Sequence, residues 1–248
     1  MRPSLPTAAA LALTLSAALA VPPVSAQPAA DEIDARIRAY LLDNPEVILE
    51  ALEVLEQRRA DAQARADEDL VAANEQALFA DGRSHVFGNP DGDVTIVEFA
   101  DYRCGYCKQA HPTVQALLEA DPNLRLVYKE FPILGPDSVL ASRAAMAALA
   151  IDPEAYERLN DAMLSWRAAL DEDAIFALAG EAGLDEGELR ARMDDPAIAE
   201  TLRANYALAQ SLRIEGTPSF VVGNRIVRGY VGLDQMQMLV AQARDEDG

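Results

Sequence analysis

One Cys-Gly-Tyr-Cys, Cys104 to Cys107, stands between a β-branched run and a helical one. Val94-Thr95-Ile96-Val97-Glu98-Phe99-Ala100, bounded upstream by Asp91-Gly92, reads as a buried strand. Cys104 to about Ala120 reads as a helix, and Leu124 to Phe131 as a second strand. Strand, helix and strand in close succession imply a right-handed parallel βαβ unit. Both sulfurs then lie at the mouth of its helix, where unpaired N–H groups and the macrodipole favour negative charge. The thiolate is the attacking form of cysteine, so Cys104 is the candidate nucleophile. Cys107, about one turn further on, can attack a mixed disulfide formed at Cys104 and release the other partner. Gly105 and Tyr106 bring no basic group. The depression expected at Cys104 therefore rests on backbone donors and is smaller than a histidine in that loop would give.

The rest of the chain fixes the setting. A long helical stretch runs from Asp137 to about Ile214, with breaks near Asp152-Pro153, Leu170-Asp171, Gly183-Leu184-Asp185 and Asp195-Pro196. It reads as an inserted block of four or five helices. Ser219–Val222 and Ile226–Arg228 read as a hairpin turning at Gly223-Asn224-Arg225, and Gly232 to Arg244 as a closing helix. This order is an α/β, thioredoxin arrangement with an inserted helical domain. Gly216-Thr217-Pro218 precedes the hairpin, where proline is tolerated only at a strand start or turn. In this layout a cis Thr217–Pro218 bond is expected, with the Thr217 backbone beside the cysteines and free to pair with a substrate strand.

Charge and cysteine usage narrow the function. The 248 residues carry 41 acidic against 21 basic side chains, net −20. That argues against nucleic acid, whose phosphates want clustered Lys and Arg, and against an anionic membrane surface. Arg2, an apolar run from Ala8 to Val21, and Val24-Ser25-Ala26 read as a secretory signal peptide, residues 1–26, cleaved after Ala26. A membrane anchor is the alternative, but the run falls short of the ~20 residues that span a bilayer. Export points to a bacterial periplasm, an oxidising compartment that favours disulfides. A staple closing so small a loop removes little chain entropy, so the pair is better explained by chemistry than by architecture.

Residues 27–80 read as a helical arm ahead of the domain at 81–248. Ile33, Ile37, Tyr40 and Leu41 mark one amphipathic face, and Asp43-Asn44-Pro45 begins a second helix running to near Ala80. Ile48, Leu52 and Leu55 form a coiled-coil-like stripe. Two readings stand: a helix packed on its own domain, or an oligomerisation arm over 31–79. The stripe has no partner within the arm beyond the short first helix, which favours the second.

Glu98 lies mid-strand among apolar residues, six before Cys104. A buried carboxylate is costly unless paired or protonated, so Glu98 is the candidate proton acceptor for Cys107, its pKa raised by desolvation. Lys129 on the neighbouring strand is its candidate partner. Metal binding is the competing chemistry: Cys104, Cys107 and His111, with His85 as a fourth ligand, would suit Cu(I) better than zinc. Both histidines read more simply as structural, and no metal or cofactor is assigned.

Phe99-Ala100-Asp101-Tyr102-Arg103-Cys104-Gly105-Tyr106-Cys107-Lys108, Glu130-Phe131-Pro132-Ile133-Leu134-Gly135 and Gly216-Thr217-Pro218-Ser219-Phe220 together resemble the DsbA-type thiol–disulfide oxidoreductases of bacterial periplasms. Tyr40-Leu41-Leu42-Asp43-Asn44-Pro45-Glu46-Val47-Ile48 resembles the N-terminal segment of the suppressor-of-copper-sensitivity C proteins. The resemblance implies Cys104 as nucleophile, Cys107 as resolving cysteine, Glu98 as the family's buried acid and Pro218 as its cis-proline. Gly-Tyr replaces the Pro-His of DsbA, which speaks against strong oxidase activity. Relatives with such an arm are oligomeric isomerases or reductases, some linked to copper tolerance. The expected partners are protein thiols or disulfides, further copies of the chain, and a membrane reductase of DsbD type in preference to a DsbB-type oxidase. A dithiol oxidase is the runner-up, and a Cu(I)-binding protein using the same cysteines the alternative of another class.

Overall fold

The computed structural model describes residues 27–247; the segment read as a signal peptide, 1–26, lies outside them. The described residues divide into two compact units, 27–57 and 58–247.

In the first unit, helix α1 spans Gln27–Asp43, and α2, Glu46–Ala73, begins after it. Asn44 closes α1: its N–H and its side-chain amide both donate to the Tyr40 carbonyl, at 2.8 and 2.9 Å. The apolar stripe is open to solvent: Ile37 is 51% exposed, Tyr40 58% and Leu52 49%.

α2 stops short of the predicted end. Asn74 leaves helical geometry (φ −119°), its amide donating to the Leu70 carbonyl, and a five-residue helix α3, Glu75–Phe79, follows. The later part of this arm belongs to the second unit. Val71 and Leu78 are buried with Val97, Phe99, Val127 and Phe131. Asp67 receives a two-pronged pair of hydrogen bonds from Arg228, both 2.9 Å.

The second unit is built on five strands: β1 (His85–Gly88), β2 (Val94–Ala100), β3 (Leu124–Glu130), β4 (Ser219–Val222) and β5 (Arg225–Arg228), ordered β1-β3-β2-β4-β5. β2 and β3 are parallel, joined by α4 (Gly105–Ala120); the other pairings are antiparallel. Strand β1 has no counterpart in the sequence reading. Three half-buried residues followed by an exposed Gly88 show no alternation, and β1 exists because the open edge of β3 pairs with it. The hairpin turns on Gly223-Asn224, with Gly223 at φ +56°, so β5 begins one residue earlier than the pattern suggested.

Five helices form the insertion: α5 (Pro136–Ile151), α6 (Pro153–Ser165), α7 (Glu172–Glu181), α8 (Glu186–Met193) and α9 (Pro196–Ser211). Four of them open on an aspartate whose carboxylate accepts a first-turn N–H: Asp152, Asp171, Asp185 and Asp195. These are the breaks that the sequence marked. Helix α10, Leu233–Asp247, closes the fold against α4.

Register sorts the strand residues between two faces. Glu98 pairs with Tyr128 and Phe220, so these share the face that α4 covers, while Phe99 and its partner Lys129 face the opposite layer.

Candidate active site

The site begins where β2 ends. Cys104 is the N-cap of α4, in extended geometry (φ −73°, ψ 119°), and its carbonyl accepts from Lys108 N–H at 3.1 Å. The Cys104 N–H is bound to the Asp101 carbonyl at 3.0 Å. The Asp101 carboxylate, fully buried, accepts from the N–H groups of Arg103 at 2.8 Å, Ile133 at 2.8 Å and Leu134 at 3.0 Å. One side chain thus ties the cysteine turn to the loop after β3.

Both cysteines are free thiols. Cys107 is fully buried, whereas Cys104 keeps 7% of its surface exposed beside Tyr106, which is 64% exposed. The Cys107 thiol donates to the Cys104 sulfur, and this is the largest influence on the nucleophile. Partial burial opposes it; the Thr217 side chain and the N–H groups of Cys107 and Tyr106 reinforce it, and the Cys104 pKa falls to about 5. The same bond, burial and the nearby Glu98 charge push Cys107 strongly upward. At neutral pH one sulfur is an anion and the other a donor that holds it. Backbone donors do contribute, as the sequence suggested. The principal donor, Cys107 itself, was missed in that role.

Thr217–Pro218 is cis, and the Thr217 carbonyl accepts from the Cys104 thiol at 3.1 Å. That bond exists only while Cys104 is protonated. Ionisation turns it repulsive and leaves the carbonyl available to a substrate N–H. Ser219, fully behind the loop, fixes it by donating to the Gly216 carbonyl at 2.8 Å.

Glu98 is buried at 4% exposure, and burial alone pushes its pKa up to about 8. Lys129 is not its partner. Its ammonium donates to the Asp81 carboxylate and the Ala77 carbonyl, each at 2.8 Å, because the pleat turns it to the opposite face from Glu98. His85 and His111 are likewise engaged elsewhere, with Glu157 at 2.8 Å and Asp161 at 2.7 Å. Among the described residues no group of three or more His, Cys, Asp or Glu side chains is placed to hold a metal ion.

Two features escaped the sequence reading. Glu130 is a second buried carboxyl, pushed to about 8 by burial against hydrogen bonds from Tyr102 (2.7 Å), Ser142 (2.8 Å) and Tyr156 (3.3 Å). The logic applied to Glu98, a carboxylate in an apolar strand, would have flagged it. Lys108, next to the resolving cysteine, donates to the Trp166 carbonyl at 2.6 Å, joining α4 to the end of α6. No local pattern announces that contact.

Residues 95–242, more than half of the chain, match the family described as DSBA-like thioredoxin domain. Residues 31–62 match the copper resistance protein ScsC N-terminal domain. A thioredoxin-like oxidoreductase from Silicibacter pomeroyi DSS-3 is 44% identical and superposes with a TM-score of 0.67, covering 69% of this chain and 98% of its own. Proteus mirabilis ScsC in a transitional conformation is 29% identical, with a TM-score of 0.66 over 89% of this chain and 97% of its own. The Na(+)/H(+) antiporter NhaA 1 of Salinispora arenicola is 30% identical over 163 residues. That match takes in 65% of this chain, which spans only a quarter of that relative's length. Among the described residues no helix is long and apolar enough to cross a membrane.

Proposed function

The chain belongs to the DSBA-like thioredoxin domain family, and from that premise we propose that it exchanges thiols and disulfides on protein substrates in the periplasm, chiefly as an isomerase or reductase. The observation that carries this reading is the reduced pair itself, with Cys104 ionised at the helix mouth and Cys107 protonated behind it. The Cys104 thiolate attacks one sulfur of a substrate disulfide, forming a mixed disulfide and expelling the other sulfur as a thiolate. In isomerisation, a second substrate thiolate attacks the substrate sulfur of that bond, and Cys104 leaves unchanged. In reduction, Cys107 loses its proton to the ionised fraction of Glu98 and attacks the Cys104 sulfur. The substrate then gains two electrons, and the chain is left with a Cys104–Cys107 disulfide. A membrane reductase of DsbD type restores the dithiol. The Thr217 backbone offers N–H and C=O groups to the extended substrate segment.

The exposed stripe on α1 and α2 supports self-association through residues 31–79, which would gather several sites around one client. An oxidase is the second reading. A nucleophile at about 5 lies between the ~3.5 of a strong oxidant and the ~7 of a reductant, and a stabilised thiolate favours giving up the disulfide. Reactivation of scrambled ribonuclease tests the first reading, and oxidation of reduced ribonuclease the second. Copper titration against Cys107→Ser tests Cu(I) binding, the role suggested by the match to a copper resistance domain. Full activity of Cys104→Ser in both ribonuclease assays would remove the redox assignment.

A further inference from the structure

The chain carries 41 acidic side chains against 21 basic ones, yet cations gather around the turn that holds the cysteines. Lys108 follows Cys107 directly and stands at i+4 from Cys104, on the same side of α4 as the nucleophile. Arg103 precedes Cys104. Arg167 lies on the loop between α6 and α7, next to Trp166, whose carbonyl accepts from the Lys108 ammonium at 2.6 Å. The Trp166 indole N–H closes that loop on the Ala169 carbonyl at 3.0 Å, so Arg167 is presented from a fixed turn.

The three charges act on one another. Lys108 is only 9% exposed, and burial lowers its pKa; Arg167 and Arg103 lower it further, against an opposing pull from Asp101. An ammonium has three N–H bonds to give, and the Trp166 carbonyl takes one. No carboxylate is paired with Lys108 or Arg167 among the described residues. Arg103 meets Asp137 at 3.0 Å, but the two side chains are 36% and 49% exposed, and so open a pair is weak enough for another carboxylate to displace. The Asp101 carboxylate is buried and already accepts three backbone N–H groups. The segment leading into the cis-proline carries one charge of each sign, Arg213 and Glu215, and has no net pull. Like charges crowded beside a buried ammonium cost free energy that an arriving anion offsets. The acidic surface elsewhere does not cancel this attraction, because charges more than ~8 Å away are screened at physiological ionic strength.

We propose that Lys108, Arg167 and Arg103 form a cationic collar that selects clients carrying aspartate or glutamate beside the disulfide under attack. The proposal rests on the exchange chemistry above and names the client class for that same site. The collar acts on encounter and orientation, through charge complementarity. The sulfur exchange is unchanged: Cys104 forms the mixed disulfide, and the client's other sulfur leaves as a thiolate.

The test compares two self-quenched fluorescent disulfide peptides, identical except that aspartates flank the cysteine in one and lysines in the other. The rate at which reduced full-length protein forms the mixed disulfide with each is divided by the rate of β-mercaptoethanol with the same peptide, which removes the peptides' own difference in reactivity. At neutral pH and about 0.15 M NaCl the corrected rate should favour the aspartate peptide by about threefold or more, the scale of an exposed ion pair. The preference should collapse in about 1 M NaCl. Arg167→Glu, at an exposed position outside any helix or strand, should abolish or invert it, and Lys108→Met should weaken it. If Lys108→Met does not fold, Arg167→Glu decides. A general change in Cys104 reactivity cancels, because the readout is a ratio of two peptides on one protein. Equal corrected rates in the wild type, a preference for lysine, or an aspartate preference that survives Arg167→Glu unchanged would each overturn the collar alone. Failure of the wild-type protein to react with either peptide would overturn the exchange reading itself.

Discussion

At the scale of residues, two titrations define the site. Cys104 has a pKa lowered to about 5, so its reactivity toward iodoacetamide should rise with a midpoint near that value. Removing the donor behind it by Cys107→Ala should move the midpoint up by a unit or more, toward that of free cysteine. An unchanged midpoint would show that the helix mouth suffices alone. The depressed pKa also sets a stability slope. Reduced protein gains stability above about 5, up to the thiol's ordinary value, and loses it as pH falls back through 5. Glu98 has the opposite sign. Its folded pKa of about 8 exceeds its ordinary value, so the native state holds a proton that the unfolded chain releases between pH 4.5 and 8. Its burial therefore costs stability progressively across that window. Glu98→Gln should raise the Tm little at pH 5 and by several degrees at pH 8, while slowing release by Cys107. Equal Tm gains at both pH values would show that Glu98 is ionised throughout.

At the scale of elements, the tie between α2 and β5 is the most exposed to test. Asp67 is nearly buried, and despite that desolvation its hydrogen bonds from Arg228 and Gln63 hold its carboxyl below the usual range. Arg228 also donates to the carbonyls of Leu212 and Arg213, so it joins α2, β5 and the end of α9. Asp67→Ala leaves that guanidinium without its carboxylate and should cost about 2 kcal/mol, measured by urea unfolding. The pair's contribution is present above the ordinary carboxylate pKa and is lost as pH falls through the lowered one, so the difference between variant and wild type should vanish in acid. The insertion helices show the same logic in reverse. Their starts were readable because a capping aspartate is a local event, whereas the Asp67–Arg228 pair joins residues far apart in the chain.

For the whole molecule, the open question is what covers the arm. Exposed side chains such as Ile33, Ile37, Leu49 and Val54 on two successive helices are expensive to leave in water. If the arm associates copies of the chain, Leu52→Asp should give monomers by light scattering. Alkylation of Cys104 should be untouched, because the second compact unit holds the whole cysteine site. Loss of ribonuclease reactivation together with the oligomer would tie isomerisation to assembly. Retained reactivation in the monomer would leave the arm another purpose.

Sequence by itself determined what is local: the βαβ unit, the cysteines at a helix mouth, the capped starts of the insertion and the apolar stripe of the arm. Each follows from backbone preference and side-chain periodicity within a few residues. Tertiary structure decided what depends on register and closure. The pleat sent Lys129 to Asp81 and left Glu98 without a protein donor, and edge pairing made a strand of His85–Gly88. It also brought the Lys108 ammonium to the Trp166 carbonyl across 58 positions of sequence. Such contacts arise from which strands meet and which face each residue turns, and no stretch of neighbouring residues carries that information.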